Sequence, residues 1–150
     1  MKNIYLLVLL VCFSASLTAQ SHEAHVPISN TIVGIWEQTG ATNPNTGKLT
    51  EVKTGNYKVI NANGTYYTFI IWGNEISSAN TSIAQYGTYE ITSKNLLEEQ
   101  IIAHTIHPNL NGKNSTVKFE LVDSKTLLIS WTPNGIDWFD EKWTRMPLGN

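Results

Sequence analysis

From position 31 onward, the chain is a series of short segments in which apolar and polar side chains alternate, separated by turn signals. No stretch carries the sustained apolar spacing of an amphipathic helix. Val117, Phe119 and Leu121 show the two-residue alternation of a strand. Asn63-Gly64 marks a hairpin turn, because this dipeptide tolerates the positive φ of tight turns. The pattern therefore favours an all-β domain.

Eight strands are predicted, and most of them are joined by short turns. They span residues 31–38, 49–60, 65–72, 84–92, 96–107, 115–122, 126–132 and 137–146, with a bend in the second strand at Gly55. A meander of this kind has two exposed edges, and closing it into a barrel removes both. We therefore predict an eight-stranded up-and-down antiparallel barrel over 31–146, followed by a short tail at 147–150. A two-layer sandwich is the alternative.

The first residues are typical of a secretory signal. A positive start at Met1-Lys2-Asn3 precedes the apolar run Ile4–Phe13, and small residues lead up to Ala19. The apolar run is too short to span about 30 Å of hydrocarbon, so cleavage near Ala19 is predicted and an uncleaved anchor is the alternative. Residues 20–30 are polar and form a predicted flexible leader. The mature protein is thus expected to be secreted or periplasmic, without a transmembrane segment.

Composition excludes several classes of function. Ten Lys and Arg residues against twelve Asp and Glu residues give a formal charge of -2, which excludes nucleic-acid binding through bulk positive charge. Fifteen aromatic side chains, five of them Trp, are too many for a disordered chain. The single cysteine, Cys12, lies inside the predicted signal, so the mature chain has no disulfide. No phosphate loop, dinucleotide motif or nucleophile motif indicates an enzyme, and no cofactor is predicted.

The fifth predicted strand carries most of the titratable groups in the middle of the chain. His104 and His107 are three residues apart, which places them on opposite faces and argues against a shared metal site. Glu98 and His104 share one face, and Glu99 and His107 share the other. Either face satisfies the pattern as the lumen. An inward Glu98–His104 pair would permit general acid–base chemistry, so an enzyme is one functional hypothesis.

The last strand combines acidic and aromatic residues. Asp137, Asp140 and Glu141 lie near several aromatic side chains, a combination that binds sugars in some proteins. The simpler interpretation is a solvated outer face with Trp143 turned inward.

Two motifs at opposite ends of the domain point to a known architecture. The first strand carries Gly34-Ile35-Trp36 and the last strand carries Trp143-Thr144-Arg145. This pairing resembles the signature of the lipocalin (calycin) superfamily, and the chain is similar to small secreted lipocalin-like proteins of bacteria. The resemblance implies that Trp36 closes one end of the barrel and that the Arg145 guanidinium packs on its indole. It also implies that Gly34 lets the strand pass close to neighbouring backbone.

The resemblance implies a lumen that binds a small hydrophobic or amphipathic molecule. Alternation and ring size nominate an aromatic lining together with one histidine: Tyr57, Tyr67, Phe69, Tyr89, His104, Phe119 and Trp131. The alternative from another class is an envelope-associated protein-interaction module whose barrel is filled by side chains and holds no ligand.

Overall fold

The computed structural model describes residues 31–72, 80–132 and 134–147. The predicted signal peptide and leader lie outside the described residues, as does most of the predicted tail. The strands in the described ranges are β1 Gly34–Thr42, β2 Leu49–Glu51, β3 Asn56–Ile60, β4 Thr65–Trp72, β5 Asn80–Ser93, β6 Leu96–His104, β7 Asn114–Leu121, β8 Thr126–Thr132 and β9 Phe139–Arg145. A single 3₁₀ turn, Pro108–Leu110, lies between β6 and β7. None of the helical structure in these ranges is long and apolar enough to cross a membrane.

The strands form one closed antiparallel sheet. Sequential strands from β3 to β9 pair with their neighbours, and β1 pairs with both β3 and β9. The short β2 pairs with residues 40–42 of β1, along the same edge that pairs with β3 over residues 34–37. β2 and β3 are thus two halves of one strand interrupted next to Gly55, where a bend was predicted. The eight-stranded up-and-down barrel is confirmed, and the two-layer sandwich is wrong.

One end of the barrel is filled with apolar side chains. The buried cluster consists of Ile32, Trp36, Ile60, Leu97, Val117, Leu127, Ile129 and Trp143. Each of these residues is at most 4 % exposed. The cluster draws side chains from most of the strands, so it holds the closed sheet together by burial of apolar surface.

Trp36 and Arg145 seal this end. The Trp36 side chain is fully buried, and its indole Nε1 donates to the Ile32 carbonyl oxygen at 2.8 Å. The guanidinium carbon of Arg145 lies 4.1 Å from the centre of the Trp36 ring. Arg145 Nη1 and Nη2 donate to the carbonyl oxygens of Val33 and Thr31, each at 2.6 Å. A Cβ on Gly34 would lie 2.6 Å from Arg145 Nη1, so a side chain there would displace the guanidinium from this position.

Among the register shifts in the sheet, one in β5 and one in β6 change which side chains face the cavity. Thr68 pairs with Gln85 but Phe69 pairs with Ile83, which leaves Ala84 as an extra residue in β5. In the same way, β6 carries one extra residue, Ile102, at its pairing with β5. An extra residue reverses the alternation beyond it. Before Ile102, the odd-numbered residues of β6 lie on the same side as Ile101. After Ile102, the even-numbered residues lie on that side.

Candidate functional site

A cavity of about 260 Å³ occupies the lumen at the end opposite the Trp36–Arg145 seal. Ile129 and Trp143 of the apolar cluster also line it, so the cavity lies directly above the packed core. It reaches the protein surface beside the exposed His107. Its apolar lining consists of Ile70, Ala84, Ile101, Ile106, Leu110, Ile129, Trp131 and Trp143.

A buried ion pair crosses the lumen. Lys58 on β3 donates from Nζ to Glu99 Oε1 on β6, and the two residues are only 8 % and 6 % exposed. Lys58 faces inward because Ile60, two positions along β3, belongs to the buried cluster. Glu99 faces inward for the same reason, between Leu97 and Ile101. Strand alternation therefore places both charges against the cavity.

Tyr66 lies next to the Lys58–Glu99 ion pair and adds a hydroxyl to the polar side chains in the lumen. Its ring centre lies 4.9 Å from Lys58 Nζ, and its hydroxyl accepts from Gln85 Nε2 at 2.5 Å. Burial raises the pKa of Tyr66, and the negative charge of Glu99 raises it further, so the hydroxyl stays protonated. A Cβ on Gly87 would clash with the β6 backbone and lie 3.1 Å from Tyr66 Cε1. Glycine at this position thus lets the Tyr66 ring pack against β5.

Glu141 on β9 is the second carboxylate in the lumen. Its Oε1 accepts from Trp131 Nε1 at 3.0 Å, and its Oε2 accepts from Trp143 Nε1 at 2.9 Å. Burial raises the pKa of Glu141. The positive charge of Lys58 and the two indole N–H groups oppose that shift, whereas Glu99 adds to it. Two neutral donors therefore orient this carboxylate without neutralising it.

Two further polar residues of the cavity wall, Gln38 and Asn56, are bonded to each other. Gln38 Oε1 accepts from Asn56 Nδ2 at 2.8 Å and from Thr54 Oγ1 at 3.1 Å. Throughout the described ranges, every buried side-chain nitrogen and oxygen has a hydrogen-bond partner. A fully satisfied network of this kind holds its members in fixed positions.

The two histidines of the fifth predicted strand lie together. Their ring centres are 5.1 Å apart, and the His107 backbone N–H donates to His104 Nδ1 at 3.1 Å. The prediction that they face opposite sides is wrong, because β6 ends at His104 and the chain turns. Burial lowers the pKa of His104, and His107 lowers it further, so His104 is neutral at pH 7. No three metal-ligating side chains of the described residues group closely enough to hold an ion.

The predicted lining divides into three groups. His104 and Trp131 line the cavity. Tyr89 and Phe119 are half-buried, pack against the apolar cluster and border a second, more open depression near the seal.

Tyr57, Tyr67 and Phe69 do not line the lumen, and their predicted orientation is wrong. They alternate with the inward side chains of Lys58 and Tyr66 and therefore lie on the outer face of β3 and β4. Tyr67 stacks there on Phe69 and on Tyr86, with ring centres 6.3 and 6.2 Å apart. Ring size misled the prediction, because three rings of these strands are outside, whereas Tyr66 and a lysine are inside.

Three charged residues of the cavity were missed: Lys58, Glu99 and Glu141. A usable signal existed for Glu141, which is two positions from Trp143 and must share its face. Since Trp143 was predicted to point inward, the prediction of a solvated outer face for Glu141 is wrong. Asp140 does lie on that outer face, where its Oδ1 accepts from Ser130 Oγ.

Glu98 and His104 do not form the acid–base pair considered above. Glu98 lies on the opposite side of β6 from the buried Glu99 and faces away from the cavity. Its register partners on the neighbouring strands are Glu90 of β5 and Thr116 of β7. His104 lines the cavity because the extra residue Ile102 reverses the alternation between them.

Comparison with known proteins gives a family without an assigned activity. A family model described as a domain of unknown function (DUF4488) matches residues 31–150. No curated protein matches the chain.

Proposed function

Because the chain belongs to the DUF4488 family, whose description assigns no activity, we propose a function from the geometry of its lumen. The protein is a secreted or periplasmic, lipocalin-like protein that binds a small, partly apolar molecule inside the barrel. The closure of β1 on β9 under the Trp36–Arg145 contact supports the lipocalin-like assignment. The signal-like pattern of residues 1–19 supports export.

The observation that carries the proposal is a cavity whose wall holds buried charges. Burying Lys58 and Glu99 costs several kcal/mol per ion, and their attraction only partly offsets that cost. Apolar side chains of similar volume would hold the barrel together at least as well. The sealed end already supplies an apolar core, so the charges are better explained by recognition than by stability.

The size of the cavity limits the ligand. About 260 Å³ lies just below the range of roughly 300–1,000 Å³ that is typical of sites for drug-sized molecules. The apolar wall of Ile70, Ile101 and Ile129 suits a short hydrocarbon or ring, and the polar group suits a single polar head. A small amphipathic molecule fits this division.

A second candidate function rests on the outer aromatic strip, defined as Tyr57, Tyr67, Phe69 and Tyr86. Tyr86 is 37 % exposed, and the neighbouring Ile83 is 42 % exposed. Aromatic side chains of this kind are enriched in protein interfaces. This surface favours the envelope-associated interaction module, although the cavity argues against the filled barrel expected of it.

Two adjacent substitutions test lumen binding. Ile70→Trp places a large ring in the cavity, whereas Ile71→Trp adds the same ring at a side chain that is 39 % exposed on the outer face. We expect calorimetric titration with a panel of small amphipathic molecules to give saturable binding for wild type and Ile71→Trp, and none for Ile70→Trp. Absence of binding across the panel, or binding that Ile70→Trp leaves intact, would contradict the proposal. N-terminal sequencing of the exported protein should find Gln20 first.

A further inference from the structure

The charges on the cavity wall do not balance. Lys58, Glu99 and Glu141 supply one ammonium and two carboxylates, which leaves one negative charge in excess when both acids are ionised. Lys58 is engaged with Glu99, and this is the single ion pair between side chains in the described ranges. Glu141 therefore has no cation of its own within hydrogen-bonding distance.

The environment of Glu141 fixes the position of its carboxylate and leaves acceptor sites free for further hydrogen bonds. Trp131 and Trp143 each donate one N–H, and an ionised carboxylate has about four acceptor sites in all. The indole rings belong to β8 and to the buried part of β9, so the carboxylate is held against rigid strands. Pre-organised acceptors of this kind favour a ligand that supplies the missing charge.

Three classes of ligand head can be compared on charge. An anionic head that approached Lys58 would lie beside Glu99 and Glu141, and like-charge repulsion from two carboxylates opposes this. A neutral head leaves the excess negative charge where it is. A cationic head beside Glu141 removes the excess and gains a charge-assisted hydrogen bond.

The approach to Glu141 also suits a cation. His104 lines the route from the surface, and burial holds its pKa below the usual value, so it adds no positive charge at neutral pH. Ile70, Ile101 and Ile129 offer an apolar wall to the rest of the molecule.

Taking the proposed lumen binding as its premise, we propose that the cavity selects a small amine, with Glu141 as the counter-ion of its ammonium group. The ligand class is thus a protonated nitrogen on a short apolar body. Glu141 is the residue that determines specificity, and Lys58 neutralises Glu99 so that the site accepts one positive charge.

Three probes of equal length separate the classes: hexylamine, 1-hexanol and hexanoate. We expect calorimetric titration at neutral pH to show hexylamine binding about tenfold more tightly than 1-hexanol, the difference expected of one hydrogen bond to a charged group. Hexanoate should not bind. Glu141→Gln should abolish the preference for the amine, whereas Glu98→Gln, which changes an outward-facing acid of β6, should retain it.

Each alternative outcome has a defined meaning. Equal binding of amine and alcohol, blocked by Ile70→Trp, would overturn the amine assignment and leave lumen binding standing. Tightest binding of hexanoate would overturn it in favour of Lys58 as the anchor. Binding of none of the three probes, with none from the wider panel, would overturn both proposals.

A measurement on the wild-type protein covers the case in which Glu141→Gln fails to fold. Hexylamine remains protonated well above neutral pH. Its affinity should therefore rise with pH as Glu141 ionises, whereas that of 1-hexanol should stay level. The other titratable groups around the cavity are Lys58 on β3, Tyr66 on β4 and Glu99 on β6, with His104 and His107 at the mouth.

A double variant, His104→Gln with His107→Gln, separates the mouth from the lumen. It should retain the pH-dependent rise if Glu141 is the titrating group. A flat profile for hexylamine in wild type, or a rise that disappears in the double variant, would overturn the assignment.

Discussion

Each end of the barrel holds a cation against an aromatic ring, and the two cations are used differently. Arg145 lies 4.1 Å from the Trp36 ring centre and donates to the backbone carbonyls of residues 31, 33 and 124. Lys58 lies 4.9 Å from the Tyr66 ring centre but donates to the carboxylate of Glu99. The first cation ties chain segments together, while the second forms part of the charged wall of the cavity. The comparison separates the part of the barrel that stabilises the fold from the part that lines the cavity.

The largest effect is expected from removing the ring at the sealed end. Trp36→Ala deletes a fully buried indole and its hydrogen bond to the Ile32 carbonyl, which should lower the free energy of unfolding by about 3–5 kcal/mol. Denaturant titration followed by circular dichroism measures this loss. Ile136→Ala is the control, because Ile136 is 79 % exposed and should change stability by less than about 0.5 kcal/mol. A similar loss of stability in both variants would contradict a specific stabilising role for the Trp36 ring.

A somewhat smaller loss is expected when the ion pair is broken at the other end. Glu99→Leu leaves the buried Lys58 ammonium without its partner and should cost about 3 kcal/mol. Adding Lys58→Met removes the stranded charge, so the double variant should recover to wild-type stability or above. Denaturant midpoints of the three proteins measure the recovery. A double variant as unstable as Glu99→Leu would show that the ion pair is structural, and the contrast between the two ends would fail.

The smallest effect concerns the pH dependence of stability. The pKa of Glu141 is raised in the folded protein above its usual value of 4.5, so folding favours its protonated form. Its contribution to stability is therefore present at low pH and is lost as pH rises through 4.5 towards the higher folded value. Relative to wild type, Glu141→Gln should therefore gain stability between acidic and neutral pH.

Unfolding measured at a series of pH values tests this gain, with Glu98→Gln as the control. If the stability difference between Glu141→Gln and wild type is independent of pH, the carboxylate is not penalised by burial as described.

The sequence was sufficient for the architecture because its signals are local or paired. Turn dipeptides such as Asn63-Gly64 and the alternation at Val117, Phe119 and Leu121 predict strands from neighbouring residues alone. The contact between Trp36 and Arg145 links the chain ends, and its prediction relied on the resemblance of two short motifs.

The lumen was predicted less well for two physical reasons. The extra residues Ala84 and Ile102 reverse the alternation within β5 and β6, and nothing in the local composition marks them. Burial preferences also pointed the wrong way in β3, since hydrophobicity alone places Tyr57 inside and Lys58 outside. An inward lysine is stable only with a carboxylate from a distant strand, and a single strand cannot reveal that partner.

The pairing of β1 with β9 has a consequence for how the protein is made. Residues about a hundred positions apart must meet before the sheet closes, so the fold depends on contacts that are distant along the chain. During synthesis, a nascent chain that lacks residues 139–145 has a β1 without this neighbour and an incomplete cover over Trp36. Until its final strand emerges, the chain exposes an unpaired strand edge, which makes incomplete chains prone to aggregate.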